Sequence, residues 1–135
     1  MRKNFGVKPW FYPLPVLIVG SYDENGQADA MNAAWGGLYD ANLVELCLSS
    51  GHKTTKNIKA TGAFTISFAD AKNVAKCDYV GIVSANNTPD KMEKAGFTVT
   101  KSSFVNAPII EELPMTLECR LKKVTEEGNI IGEIV

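Results

Sequence analysis

The sequence predicts a mainly β protein, a small antiparallel barrel with Greek-key-like connections and short inserted helices. Predicted strands outnumber predicted helices, and the strands often follow one another directly. No regular β-α-β alternation appears, which argues against a Rossmann-type parallel sheet. The 135 residues match the size of one domain with one core, and no internal repeat, linker or low-complexity tract divides them. We therefore expect a single domain over residues 1–135.

The first half of the chain is predicted to contain an extended lead-in, three strands and a short helix. Prolines and aromatic residues at Trp10–Pro15 exclude a helix there, so the lead-in is extended. Strands over Val16–Val19 and Gln27–Trp35 flank Asn25-Gly26, a pair that supplies the positive φ angles of a tight hairpin turn. The next elements are a strand at Leu43–Ser49 and a helix from Thr54 or Thr55 to about Ala60, with a threonine cap at its start and Gly62 at its end.

The second half adds further strands and two short helices. The predicted elements are a strand at Ala63–Phe68, a helix near Asn73–Val80, a helix at Asp90–Ala95 ended by Gly96, and strands at Phe97–Thr100, Leu113–Val124 and Asn129–Val135. Glu126-Glu127-Gly128 predicts a hairpin between the last two strands. Because the chain ends inside that apolar strand, we expect either a C-terminally truncated fragment or a last strand that pairs within a dimer.

Composition and charge exclude several classes of protein. The formal net charge of -1 does not provide the basic face of a nucleic-acid module. The longest apolar run, around Leu14–Val19, is too short to span a bilayer, and the N-terminus lacks the apolar region of a signal peptide. We therefore expect no nucleic-acid partner and no membrane span; the cysteines, which predict no disulfide framework, indicate a reducing, cytoplasmic location.

The three cysteines carry no metal-binding or disulfide signal. Cys47, Cys77 and Cys119 are odd in number and far apart, and none has a neighbour at zinc-ligand spacing. We interpret all three as small core hydrophobes and assign no metal ligand.

The segment Ser49–Asn57 has the composition of a phosphate-binding helix start. It combines hydroxyls, a lysine and the first turn of a predicted helix, whose N–H groups lack backbone partners. It is not a nucleotide P-loop, because His52 separates Gly51 from Lys53 and the first glycine of that motif is missing. The alternative interpretation is a capped surface helix with solvated lysines.

Two further segments could line a pocket. In Met31–Gly37, small residues would let a flat ring approach the backbone and Trp35 could pack against that ring; alternatively, Trp35 is a core aromatic and the glycines form a turn. In Asp78–Ser84 and the following Asp90-Lys91, the alternatives are core packing and a solvated lysine. The single histidine, His52, has no evident partner, so hydrolase chemistry is a weak hypothesis.

Taken in order, these segments resemble the flavin reductase-like FMN-binding family, and within it the flavoredoxin branch. The matching stretches are Tyr12–Val16, Asn32–Trp35, Ser49–Thr55 with Asn57-Ile58, Asp78–Gly81 with Ser84, and Asp90-Lys91 before Gly96-Phe97. These stretches cover nearly the whole chain. No single motif is specific for the family, but the set of motifs in this order is. Members of this branch usually run some dozens of residues longer, which again indicates truncation.

The resemblance implies a split β-barrel that forms a homodimer, with FMN bound near the subunit interface. It implies phosphate contacts from Ser49, Ser50, His52, Lys53 and Thr54, ring contacts from Asn32, Ala33, Ala34 and Trp35, and further pocket contacts from Asn57, Ser84 and Lys91. Because the flavin carries the redox chemistry, we assign no catalytic residue. Lys91 is the candidate for a positive group that stabilises the reduced ring.

Three functions fit this resemblance. The leading one is an FMN-binding, NAD(P)H-dependent flavin reductase or a close oxidoreductase; its nicotinamide site would be a non-Rossmann one, because the chain has no G-x-G-x-x-G segment. The second is a flavoredoxin-type electron carrier that exchanges electrons with a protein partner. The third is a non-catalytic module that binds flavin or haem. A β-barrel without any cofactor would require the ordered set of motifs to be a coincidence.

Overall fold

The structure, a computed structural model, describes residues 1–135 and is mainly β. The strands are β1 Leu17–Tyr22, β2 Ala28–Ala33, β3 Gly36–Asp40, β4 Leu43–Leu46, β5 Ala63–Phe68, β6 Val99–Lys101, β7 Pro108–Ile110, β8 Thr116–Val124 and β9 Ile130–Ile134. The helices are α1 Lys53–Thr61, α2 Val74–Ile82 and α3 Lys91–Ala95. None of these helices has the length and apolar character needed to cross a membrane.

Seven strands form one curled antiparallel sheet in the order β2-β1-β5-β8-β9-β4-β3. A separate pair, β6 and β7, packs beside it and accepts a hydrogen bond from Thr65 Oγ1 at Pro108 O. The strands β2 and β3 follow each other in the chain but form opposite edges of the sheet, so the half-barrel is split between them. The predicted antiparallel split barrel with short inserted helices is therefore confirmed.

Two apolar clusters lie on the two faces of this sheet. One cluster fills the inside of the curl and includes Leu17, Val19 and Phe64, with Ile58 of α1. The other includes Ile18 and joins the sheet to α2 and α3. Since alternate residues of a strand point to opposite faces, β1 is buried on both sides. This explains its uninterrupted apolar run.

The two predicted hairpins, β1–β2 and β8–β9, have the same type of turn, which differs from the tight turn predicted at Asn25-Gly26. At Asp23–Gln27 only Gly26 has a positive φ, of 78°, and Asn25 does not. The Asp23 N–H donates to Gln27 O, and the Gly26 N–H donates to Asp23 O. Three residues thus form the loop, with glycine in the left-handed position, as is usual for a three-residue hairpin. Thr125–Asn129 repeats this pattern with Gly128 at a φ of 92°.

Several other local predictions need correction. The strand predicted over Gln27–Trp35 stops at Ala33, and β3 begins at Gly36, where a turn was an alternative. Neither predicted threonine caps α1, because the helix already begins at Lys53. The last strand, β9, is hydrogen-bonded to β8 on one side and to β4 on the other. It therefore has no free edge with which to pair with a second subunit, as one of the two expectations required.

The helix ends follow the sequence more closely. Gly62 and Gly96 end α1 and α3 with φ angles of 72°, as predicted. Cys77 and Cys119 are core residues, but Cys47 is exposed, so its assignment to the core was wrong.

Candidate functional site

A cleft lies beside the edge strand β2, where helices from both faces of the sheet approach each other. We call it the Asp29 cleft; its lining consists of Asp29, Met31, His52, Lys53, Thr54, Val80, Gly81, Ile82, Val83, Ser84, Ala85 and Lys91. The cleft therefore brings together five of the predicted site residues, His52, Lys53, Thr54, Ser84 and Lys91. They come from the start of α1, the end of α2 and the start of α3.

A buried ion pair occupies the floor of this cleft. The Lys91 Nζ lies 3.1 Å from Asp29 Oδ1, and the two side chains are only 3% and 4% exposed. The Thr54 hydroxyl donates to the other carboxylate oxygen, Asp29 Oδ2, at 3.1 Å. The pair thus ties together β2, α1 and α3. Removing one partner of such a buried pair costs about 3–5 kcal/mol, because the other charge is left uncompensated.

The ion pair shows that two interpretations of Lys91 made from the sequence are wrong. Lys91 is not a solvated helix residue, and it is not a free cation, because Asp29 offsets its charge. Asp29 Oδ1 is contacted by the Lys91 ammonium and Asp29 Oδ2 by the Thr54 hydroxyl, so both carboxylate oxygens are held by neighbouring side chains.

The second lysine of the cleft lies at its outer end and is held less tightly. Lys53 Nζ is 3.5 Å from Asp23 Oδ2, and its side chain is 30% exposed. Hydrogen bonds from the N–H groups of Gln27 and Asn25, together with the Lys53 ammonium, hold the pKa of Asp23 below its usual value. An exposed pair of this kind contributes only about 0–1 kcal/mol, so Lys53 can exchange Asp23 for another anion.

The backbone beside Lys53 adds donors for such an anion. His52 is the residue before α1, with extended backbone angles and no side-chain cap. The first hydrogen bond of the helix joins the Lys56 N–H to His52 O. The N–H groups at 53–55 therefore have no partner within the helix, and the helix dipole favours an anion beside them. Asn86 fixes the preceding turn by donating to Gly51 O at 3.2 Å.

The cleft is small within one chain. Its volume is about 160 Å³. A neighbouring cleft of about 280 Å³ shares Asp29, Lys53 and Ala85 with it and extends toward Asp23 and Asn86. Ligand sites usually have volumes of about 300–1,000 Å³. A ligand of nucleotide size would therefore need both clefts or a wall from another molecule.

The predicted ring-binding segment lies elsewhere. The side chains of β2 alternate, so Asn32 points to the opposite face from Asp29 and lies against Gly81 in a cleft with Asp70 and Asp78. Ala33 is buried in the inner cluster, and Ala34 is exposed. Trp35 is 56% exposed and lies in a fourth cleft against the lead-in, lined by Lys8, Pro9, Trp10, Phe11, Leu14 and Gly36. The structure does not bring these four residues to the Asp29 cleft.

The remaining predicted residues serve the fold locally. Ser49 and Ser50 are exposed in the turn before α1, where Ser49 O accepts a hydrogen bond from Thr55 Oγ1 at 2.8 Å. Asn57 is buried and donates to Ser21 Oγ at 3.1 Å, which fixes α1 on β1. Their contacts with a flavin stay predictions.

Comparison with known proteins decides the family. The model of the family described as "Flavin reductase like domain" matches residues 11–135. The chain belongs to the flavin reductase-like family.

Several solved structures have the same fold. Flavoredoxin of Desulfovibrio vulgaris (Miyazaki F) superposes with a TM-score of 0.96 at 35% identity, over 100% of this chain and 74% of that chain. Flavoredoxin from Methanosarcina acetivorans gives a TM-score of 0.86 at 26% identity, over 99% and 74% of the two chains. Nitrilotriacetate monooxygenase component B from Bacillus cereus shares the fold, with a TM-score of 0.81 at 20% identity over 98% and 80%.

Among sequence relatives, the chain matches only part of a longer protein. It is 27% identical to a protein of Aeropyrum pernix over 121 residues, which is 87% of this chain but 45% of that protein. A protein of Archaeoglobus fulgidus is 28% identical over 131 residues, covering 93% of this chain and 72% of that protein. The chain thus spans about half the length of the Aeropyrum pernix relative.

The residues of the Asp29 cleft fit the FMN that this family binds. FMN carries a phosphate at one end and hydroxyl and N–H donors along the rest of the molecule. The cleft has a lysine and free N–H groups at its outer end, which suit the phosphate, and a buried, charge-neutral ion pair at its floor.

Two carboxylates of the site, Asp29 and Asp23, are not among the residues predicted from the sequence. Asp29 gave one local signal, since a carboxylate between two alanines in a predicted strand is unusual. Nothing near it in sequence indicated Lys91 as its partner. Asp23 was assigned to the hairpin turn, and its second role beside Lys53 depends on how that hairpin lies against α1.

Proposed function

We propose that the chain is an FMN-binding oxidoreductase whose cofactor occupies the Asp29 cleft. The observation that carries this proposal is the arrangement of one exchangeable lysine, the open first turn of α1 and the buried Asp29–Lys91 pair along one cleft. The family supports flavin as the ligand.

Each part of the cleft has a role toward this ligand. Lys53 and the N–H groups at 53–55 would hold the phosphate, since a helix start beside a cation binds anions. Asp29 would form part of the floor under the cofactor, and Lys91 and Thr54 hold that carboxylate in place. The bound flavin supplies acceptance and release of electrons. No side chain of the chain needs to form a covalent bond.

For the source of electrons we propose NAD(P)H, as in a flavin reductase. A second candidate is an electron carrier that receives electrons from a protein partner. The observation that favours it is the 35% identity and TM-score of 0.96 to the flavoredoxin of Desulfovibrio vulgaris. The two candidates differ in whether NAD(P)H alone reduces the bound flavin.

We also propose that the working form is a homodimer. The lead-in exposes Trp10 and Phe11 in one cleft with the exposed Trp35, and exposed apolar surface of this kind often marks a protein–protein contact. A second copy on this surface would cover the three aromatic side chains. Light scattering on the purified protein should give twice the mass of the 14.7 kDa chain; a monomer with full FMN affinity would contradict this proposal.

The function is tested by absorption spectra of the protein with added FMN, followed by NADH and then NADPH without oxygen. Perturbed flavin bands that bleach with either nucleotide support the reductase. Bound flavin that stays oxidised with both nucleotides, but is reduced by a chemical reductant such as dithionite, supports the electron carrier. Bound flavin that stays oxidised with NADH, NADPH and dithionite indicates a non-catalytic binding module. If the protein does not bind FMN, the proposal is wrong.

A further inference from the structure

The ion pair on the floor of the Asp29 cleft has no net charge. Asp29 and Lys91 are almost completely buried, with Nζ and Oδ1 3.1 Å apart. No other lysine, arginine or histidine forms an ion pair with Asp29, and no other carboxylate forms one with Lys91. A flavin beside this pair therefore experiences a neutral floor instead of the positive one that Lys91 alone would create.

Charge on this floor has a direct effect on a flavin, because reduction changes the charge of the ring. Two electrons and one proton convert the neutral oxidised ring to a reduced ring with one negative charge. A nearby cation stabilises that product and a nearby carboxylate destabilises it. A unit charge within about 10 Å, at an effective dielectric constant of about 20, shifts such an equilibrium by roughly tenfold.

We propose that Asp29 is a positioning residue that holds Lys91 and offsets its charge, and so keeps the reduction potential of the bound flavin low. This inference rests on the proposed function, since it requires flavin in the cleft. Asp29 is suited to this role because Thr54 fixes one of its oxygens, while the other lies 3.1 Å from the Lys91 ammonium. A low potential makes the reduced flavin a stronger electron donor.

The test compares reduction potentials of bound FMN in four proteins: wild type, Asp29→Asn, Lys91→Met and the double variant. Potentials are measured by equilibrium with a reference dye during slow reduction by xanthine and xanthine oxidase. In Asp29→Asn, Lys91 loses its counter-ion, so we expect binding of reduced relative to oxidised FMN to strengthen at least tenfold. For a two-electron couple this raises the potential by about 30 mV.

The other variants make the result specific to the pair. Lys91→Met leaves the carboxylate alone and should lower the potential, whereas the double variant has no charge on the floor and should return close to wild type. The matched control is Asp23→Asn, which removes a carboxylate of the same charge beside the half-exposed Lys53. Solvent screens that site, so we expect a change of less than about threefold.

The outcomes separate this inference from the proposed function. If wild type leaves the FMN spectrum unchanged, the proposed function is wrong. If wild type and variants bind FMN but their potentials agree within threefold, the function stands and the role of Asp29 is wrong. If Asp29→Asn does not fold, as judged by circular dichroism, the potentials of Lys91→Met and the double variant still decide. Loss of FMN from all folded variants would also overturn the inference, because the pair would then serve binding and not potential.

Discussion

Replacing Lys53 with alanine should separate FMN from riboflavin, which is the same molecule without the phosphate. A hydrogen bond to a charged group contributes about 1.5–3 kcal/mol. In this structure the lower end applies, because the Lys53 side chain is 30% exposed and must first leave Asp23. We therefore expect FMN affinity to fall by about 1.5 kcal/mol, roughly tenfold. Riboflavin affinity should change by less than a factor of about two, since no phosphate is lost.

Quenching of flavin fluorescence during titration measures both affinities. Lys56→Ala is the matched control, because Lys56 lies on the same helix but is exposed and does not line the cleft. Asp23→Asn should act in the opposite direction and strengthen FMN binding by at most about fivefold, the value of one exposed ion pair. Equal losses of FMN and riboflavin in Lys53→Ala would show that Lys53 does not hold the phosphate.

Three further predictions concern the fold and the lead-in. Burial raises the pKa of the Cys119 thiol to about 12. Between about pH 8.5 and pH 12 the folded chain therefore keeps a proton that the unfolded chain releases. The free energy of unfolding consequently falls as pH rises through this range. Urea unfolding at pH 8 and pH 10 should show a loss of about 2 kcal/mol from this thiol that Cys119→Val abolishes; an unchanged pH slope would contradict it. Gly132→Ala would place a methyl group 2.7 Å from Phe64 Cε1 and should lower the free energy of unfolding by about 1–3 kcal/mol. Adding Phe64→Leu should restore part of this loss, because the smaller side chain makes room for the methyl group. If the losses from the two substitutions simply add, the contact does not explain the effect. Trp35→Ala should leave stability within about 0.5 kcal/mol, because Trp35 is 56% exposed. It should also leave the spectrum of bound FMN unchanged, because Trp35 lies outside the Asp29 cleft; a changed spectrum would place Trp35 in the flavin environment and contradict this location of the cofactor.

Local signals in the sequence were sufficient for the helix ends and hairpin positions. Gly62 and Gly96 adopt a left-handed conformation that other residues avoid, so each glycine after a predicted helix indicates its end. Gly36 shows the limit of this reasoning. It lies within a strand, and a methyl group there would come within 2.8 Å of side-chain atoms of Leu17 and Leu46. Close packing, which no local pattern reveals, requires this glycine.

The candidate site was predicted only in part for a similar reason. Lys53 and Thr54 belong to one local segment with a recognisable composition, and the structure places both in the cleft. Asn32 and Asp29 lie in one short strand, yet its alternation places them on opposite faces, and the prediction selected Asn32. The partner of Asp29 comes from α3, so only the tertiary fold shows that the carboxylate is paired.

The position of Asp29 on an edge strand also has a consequence for folding. Strand β2 is hydrogen-bonded to β1 alone, and the register places Ser21 opposite Asp29. A slip by one residue would preserve most backbone hydrogen bonds but turn Asp29 to the other face. Lys91 would then be buried without a counter-charge, at a cost of several kcal/mol. The same carboxylate therefore makes a misaligned β2 unfavourable, and any substitution there should be judged by its effect on strand alignment as well as on the cleft.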